Sequence, residues 1–190
     1  MSSKSIFSYG LSVFVRSIFA SFMCLIMTMS ITVISFNWIA QLIIQIFSLI
    51  LFCTIPYSGI WDLGSSDKNK VAYHHIEEDK LKGFKIGLIA TIPCFLTYLG
   101  LIVCKLFDVN LYLALFRIIN PHFLVIFNYL LPPDGGMTQL SWLNILCVLP
   151  LSMLLPLVCL SAYWLGYKRI SIIEKIIYKN GRKPKRRRRK

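Results

Sequence analysis

Residues 17–61, SIFASFMCLIMTMSITVISFNWIAQLIIQIFSLILFCTIPYSGIW, contain no Asp, Glu, Lys or Arg. A single helix of these 45 residues would be about 68 Å long at 1.5 Å per residue, whereas a bilayer's hydrocarbon core is about 30 Å thick. The segment therefore has to cross a membrane twice, and the polar side chain of Asn37 marks the turn. We expect a first span at residues 17–36 and a second at 38–55, closed by Pro56.

Two further apolar stretches complete the set of spans, and they are free of charge over residues 86–104 and 142–166. A third span is expected at residues 86–106 and a fourth at 142–166, where Pro150 and Pro156 should kink the helix. Charged residues make up only 15% of the chain and hydrophobic residues 56%, against about 25% charged in an ordinary soluble domain. The sequence predicts an all-α integral membrane protein whose residues 1–166 form a four-helix transmembrane bundle.

The segment 109–131 is apolar enough for a fifth span, but its middle is polar. Arg117 lies near its centre, and a charge at the bilayer centre costs about 2.5–3.5 kcal/mol on insertion scales. Pro121 also disfavours the helical conformation of the residue before it. We therefore expect two short interfacial helices, at 110–119 and 122–131, within an outer loop at residues 107–141; a fifth span is the alternative.

The distribution of positive charge favours four spans and sets the orientation. Four spans place the N-terminus, the loop 56–85 and the C-terminus on one side, and that side holds 19 of the 21 Lys and Arg residues. Positive charge is retained on the cytoplasmic side, so both termini should be cytoplasmic (N-in/C-in) and the loop 56–85 should be a cytoplasmic loop. The abundance of Ile, Lys and Phe suggests a bacterial cytoplasmic membrane.

Each predicted span carries small or weakly polar residues three and four positions apart. Such stripes let helices approach closely and form hydrogen bonds in lipid, where hydrophobic burial gives no driving force. The stripes single out five residues as helix-packing positions: Gln41, Gln45, Ser48, Gly83 and Gly87. The alternative hypothesis is that Gln41 and Gln45, one helical turn apart, line a polar path for a substrate or an ion.

No motif for a cofactor, a metal or a catalytic site is found, so we expect none of the three. The six cysteines form no Cys-x-x-Cys pair and are interpreted as small buried side chains. If residues 71–84 were helical, His75 and Asp79 would lie one turn apart and could hold a divalent cation. The preferred interpretation is a solvated helix whose charges complement the helix dipole.

The C-terminal segment is the most basic part of the chain. Residues 167–180 should form a cytoplasmic amphipathic helix, and 181–190 a disordered polybasic tail. Anionic lipid headgroups are the expected partner of eight residues: Arg182, Lys183, Lys185, Arg186, Arg187, Arg188, Arg189 and Lys190. A role in topology alone and contact with RNA or the ribosome are the alternatives.

Taken together, these features favour a non-enzymatic accessory or interaction protein that lies in the lipid bilayer and binds a protein partner or a second copy of itself. The alternative is a subunit of a small oligomeric transporter or channel, although the four predicted spans lack the ionisable residues usual in ion-coupled transport. A third hypothesis is a lipid-modifying enzyme built on His122, Arg117 and Asp134.

Overall fold

The computed structural model describes residues 5–32, 37–131 and 136–170. Every regular element within these ranges is helical. The part of the predicted amphipathic helix beyond residue 170 and the entire basic tail, residues 181–190, lie outside the described residues.

Seven α-helices are found in the described ranges. They are α1 (Ile6–Thr32), α2 (Trp38–Ala72), α3 (Lys82–Leu106), α4 (Leu111–Ile119), α5 (Leu124–Leu130), α6 (Trp142–Ser152) and α7 (Leu154–Tyr167). Short 3₁₀ turns at Pro121–Phe123 and Met137–Gln139 precede α5 and α6.

Four helical segments are long and apolar enough to cross a membrane. They are Ile6–Ser30, Trp38–Ala72, Lys82–Leu106 and Trp142–Tyr167, the last formed by α6 and α7 together. The prediction of an all-helical chain with four such helices is confirmed, and the protein is membrane-embedded in character. The α1 helix starts before the predicted span because Val13 and the residues around it pack into the same core.

The prediction that Pro56 closes the second helix is wrong. The α2 helix passes through a buried Pro56 and continues to Ala72. Beyond the proline, Trp61 and Gly64 lie directly against α7, and the Trp61 indole N–H donates to the carbonyl of Ile170 at 3.0 Å. Proline removes one backbone hydrogen bond of the helix, and these contacts compensate for its loss.

The predicted helix at residues 71–84 is also absent. The chain turns after Ala72, with His74 in the left-handed region at φ 55°, and α3 starts only at Lys82. Asp79 accepts hydrogen bonds from the backbone N–H of Leu81 at 3.0 Å and from Lys85 Nζ at 2.9 Å. Asp79 therefore supports the start of α3, and the helical spacing proposed for a cation site with His75 does not exist.

In cross-section, α1, α2, α7 and α3 lie at the corners of a square. The α1 helix contacts α2 and α3, and α7 contacts the same two helices from the opposite side. The fourth span breaks at Met153, between Pro150 and Pro156, and α6 packs on α3 and α5. Because α6 leaves the square, the space beside α2 in that half is filled by residues 121–130.

The two ends of the bundle differ in chemistry. One end, called the basic end here, holds the start of α1, the turn from α2 to α3 and the end of α7. There Asp67 is fully buried and accepts from Lys82 Nζ at 2.6 Å and from the Tyr163 hydroxyl at 3.1 Å. This cluster ties α2, α3 and α7 together. The opposite end, called the hairpin end, holds the start of α2 and residues 107–131 and 136–141.

Close approach of α2 and α7 depends on glycine. A Cβ atom added to Gly64 would overlap the backbone of Tyr163 and Tyr167, whereas a Cβ on Gly59 would meet only the exposed guanidinium of Arg16. Backbone atoms cannot move aside without separating the helices, but the end of a long side chain can.

We therefore predict that Gly64→Ala lowers the free energy of unfolding by about 1–3 kcal/mol, the usual cost of overpacking. Gly59→Ala is the matched control on the same helix and should be neutral or slightly stabilising, since alanine favours a helix over glycine by about 1 kcal/mol. Unfolding in a denaturing-detergent titration measures both variants. Equal destabilisation by the two substitutions would contradict the packing argument.

Candidate functional site

The bent segment, residues 111–130, is the least regular part of the bundle. The helices on either side of Asn120 are inclined at 93° to each other. Pro121 cannot extend α4, and the Asn120 side chain donates from Nδ2 to the carbonyl of Phe116 at 3.1 Å. Short helices are found at Leu111–Ile119 and Leu124–Leu130, and the turn between them lies inside the bundle, against α1 and α2.

Gln45 on α2 holds this turn with both ends of its carboxamide. Its Nε2 donates to the carbonyl oxygen of His122 at 2.6 Å, and its Oε1 accepts from the backbone N–H of Val125 at 3.1 Å. Gln45 is buried, so both backbone groups would lack a partner without it. One side chain thus pairs two backbone groups at the tip of the bent segment, where a 3₁₀ turn meets the first turn of α5.

His122 occupies the tip and is 3% exposed. Its ring stacks on Phe52, with ring centroids 3.7 Å apart and planes 3° apart, and Phe123 lies 4.5 Å away. Its Nδ1 is 3.3 Å from the hydroxyl of Ser21 on α1. Two helices, α1 and α2, therefore position the imidazole, together with the neighbouring ring of Phe123.

The tip reaches deep into the bundle. Phe52 lies fourteen residues along α2 from Trp38, which corresponds to about 21 Å from the hairpin end. If a hydrocarbon core about 30 Å thick begins near Trp38, this depth lies inside it. At such a depth, irregular backbone is tolerated where protein covers it, which is what Gln45 and Phe52 provide.

A cleft of about 190 Å³ opens beside the imidazole, between α1 and α3. Its walls combine apolar side chains with a few neutral polar ones. The polar and polarisable residues that line it are Ser17, Ser21, Cys94, Thr97, Asn120 and His122. No charged side chain is among the lining residues.

The predicted packing residues separate into two places. Gln45 and Ser48 lie buried on the face of α2 that meets the core, and Gln41 is half-buried one turn nearer the hairpin end. Gly83 and Gly87 lie on α3 and face α7, against Tyr163, Cys159 and Pro156. The eight basic tail residues lie outside the described part of the chain.

Two cations at the hairpin end bind backbone carbonyl groups. Arg117 donates from Nη2 to the carbonyl of Leu131 at 3.1 Å, and Lys105 donates from Nζ to the carbonyl of Met137. Asn110 accepts from the Met137 N–H at 2.7 Å. These contacts brace the ends of the bent segment. Asp134, the third member of the hypothetical catalytic set, lies outside the described residues.

At the basic end, the hydrogen bond from Lys85 is the largest of the effects that hold the pKa of Asp79 below its ordinary value. The carboxylate is therefore charged at neutral pH. Within the described ranges, no three His, Cys, Asp or Glu side chains approach closely enough to hold a metal ion.

The sequence alone did not identify His122 as a member of an interior site. Its position after Asn120-Pro121 indicated a break between helices and nothing about depth. The available signal was the polar stripe on each neighbouring helix, Ser21 on α1 and Gln45 on α2, which face the imidazole and the backbone beside it.

We predict that Gln45→Leu lowers the free energy of unfolding by about 1–3 kcal/mol, because two buried hydrogen bonds are lost and each contributes about 0.6–1.7 kcal/mol in membrane proteins. Gln41→Leu is the matched control, since it makes the same change one turn away at a half-buried position. Its effect should stay under about 0.5 kcal/mol. Denaturing-detergent titrations of both variants provide the comparison, and a larger effect for Gln41→Leu would refute this role of Gln45.

Comparisons with known proteins leave the site to be interpreted from its own chemistry. No family model matches the chain, and neither a curated protein nor a solved structure matches it.

Proposed function

We propose that the chain is a non-enzymatic accessory or interaction protein of a bacterial cytoplasmic membrane. The observation that carries this proposal is the contact of Gln45 with His122 and Val125. The buried polar side chain that a polar path would have to use serves instead to hold the fold together. Interaction with a membrane partner would then use the outside of a rigid bundle.

The same contact weighs against a polar path through a single chain. A path would need Gln41 and Gln45 to offer hydrogen bonds to a passing solute, but both ends of the Gln45 carboxamide are already engaged. The backbone N–H of Val125 in the first turn of α5, which could otherwise face an anion, donates to Gln45. Transport therefore remains the second candidate, and it would require an oligomer.

We place the basic end in the cytoplasm, so that both termini are cytoplasmic and the bent segment enters from the outer side. The positive charges of Lys68, Lys70, Lys80, Lys82 and Lys85 support this orientation, since positive residues are retained inside. The apolar side chains of α4 that are exposed would lie at the outer interface and against lipid. The bent segment would thus be interfacial at its ends and inserted at its tip.

The basic tail, residues 181–190, would bind anionic headgroups on the cytoplasmic surface. Each basic residue near such a surface contributes about 1 kcal/mol, and the attraction falls off within a Debye length. Contact with RNA or the ribosome is the alternative use of the same charges. Either use would fix the end of α7 close to the membrane surface.

We predict that a membrane-impermeant thiol reagent labels Ser66→Cys and Lys190→Cys from the cytoplasmic side, and Gln139→Cys from the outer side. Ser66 and Gln139 are exposed, whereas a larger residue at Gly136 would crowd the Oδ1 atom of Asn110 that accepts from the Met137 N–H. The unaltered chain is the control, because its six cysteines lie in or beside the spans. Labelling of residues 66 and 139 from one side would refute the orientation.

The function itself is tested by purification in a mild detergent. We expect a second protein, or a second copy of the chain, to co-purify in a fixed ratio, while proteoliposomes of the chain leak solutes no faster than protein-free vesicles. Flux that is present in the unaltered chain and lost in the Gln41→Leu, Gln45→Leu double variant would overturn the proposal in favour of transport. A Gly59→Ala variant is the control for nonspecific effects on flux.

A further inference from the structure

The cleft between α1 and α3 has a volume that suits a molecule with one six-membered ring. A cavity of about 150 Å³ in a protein core holds one benzene molecule, and this cleft measures about 190 Å³. Phe14, Phe52 and Pro93 form apolar walls, and the rim residues Ile18 and Ile119 are about half exposed. In a bilayer this opening would face the lipid, so an occupant would arrive from the hydrocarbon phase.

One nitrogen of the His122 imidazole, in the wall of the cleft, is available to a ligand. The imidazole of His122 is almost fully buried, and its Nδ1 is paired with Ser21. Among residues 5–32, 37–131 and 136–170, Nε2 has no hydrogen-bond partner. Within the described ranges, Nε2 is not one of the fully buried side-chain atoms that lack a partner, so it keeps access to the cleft, and a ligand that pairs with it gains a hydrogen bond.

The other polar groups of the cleft already donate within the protein. Ser17 donates to the carbonyl of Phe14 at 2.8 Å, Thr97 to that of Cys94 at 2.8 Å, and Asn120 to that of Phe116 at 3.1 Å. Nε2 of His122 and Oδ1 of Asn120 are therefore the side-chain nitrogen and oxygen atoms left to pair with a ligand. Either atom can pair with one hydrogen-bonding group on an otherwise apolar molecule.

The chemistry of the site indicates that the hydrogen-bonding group of the ligand is a hydroxyl. A charged head would be costly, because no residue of opposite charge lines the cleft. If Ser21 donates to Nδ1, Nε2 carries the proton and donates; in the other tautomer, Nε2 accepts. A hydroxyl both donates and accepts, so it pairs with either tautomer, whereas a carbonyl pairs with only one.

We propose that the cleft beside His122 is a binding site for a neutral, ring-sized molecule of the phenol class, which enters from the membrane and bonds to Nε2 through its hydroxyl group. This site is independent of the partner proposed above. It uses the bundle interior, whereas that partner would use its outside.

The test uses the full chain in lipid nanodiscs, with ¹⁵N in the histidine rings. Comparison with His122→Phe assigns the His122 signals, and His74 and His75 at the basic end serve as internal references. The probes are p-cresol and p-xylene, which have nearly the same shape and differ by a hydroxyl in place of a methyl group. We expect p-cresol to shift the Nε2 signal of His122 saturably, at a concentration about tenfold lower than p-xylene needs for any saturable effect.

A cleft-filling variant completes the design. Cys94→Leu places a larger side chain in the wall of the cleft and leaves unaltered the three residues that contact the His122 ring, Ser21, Phe52 and Phe123. It should abolish the p-cresol shift while the His122 signals stay dispersed as in the folded chain. If p-cresol does not shift the signal in the unaltered chain, or if p-xylene acts at the same concentration, the proposal is wrong. The cleft then holds water or a lipid chain only. Both of these outcomes are measured on the unaltered chain, so they overturn the proposal even if Cys94→Leu fails to fold.

Discussion

The backbone at the tip of the bent segment has to be hydrogen-bonded inside the bundle, where a buried N–H or C=O group without a partner is costly. A turn at Pro121–Phe123 interrupts the helical ladder and leaves the carbonyl of His122 and the N–H of Val125 to be satisfied by other groups. Gln45 satisfies both at 2.6 and 3.1 Å. A carboxamide suits this task because it carries a donor and an acceptor side by side and no charge, so its burial needs no counter-ion.

This turn can reach Gln45 only because the fourth span opens. Pro150 and Pro156 flank the break at Met153, and α6 leaves the square of helices that α7 completes. Residues of the bent segment then fill the space, with Phe127 and Leu131 buried against α6 and its neighbours. The break between the prolines therefore makes room for the inserted segment, since a straight fourth helix would occupy the place where His122 and Phe123 pack.

Much of the architecture could be predicted from the sequence, for identifiable physical reasons. The absence of charge over residues 17–61 fixed two membrane-length helices, and Pro121 after Asn120 marked the break between α4 and α5. The end of α2 was mistaken because Pro56 removes one hydrogen bond, while the contacts of Trp61 and Gly64 with α7 involve residues about a hundred positions away. The contact of Gln45 with His122 spans 77 positions. Periodicity indicates which face of a helix is polar, and it does not identify the residue on the other side.

The two ends of the bundle are held by different chemistry, and this difference determines where a ligand can bind. At the basic end, the carboxylate of Asp67 pairs with Lys82, whose ammonium retains some contact with solvent. At the depth of the tip, the contacts are neutral, between the carboxamide of Gln45, the hydroxyl of Ser21 and the ring of His122. Charges are tolerated only near water, whereas neutral groups can be buried when they are paired. The cleft lies among the neutral groups, so a molecule that enters it meets Nε2 of His122, Oδ1 of Asn120 and no charge, which is why an uncharged hydroxyl compound fits its chemistry.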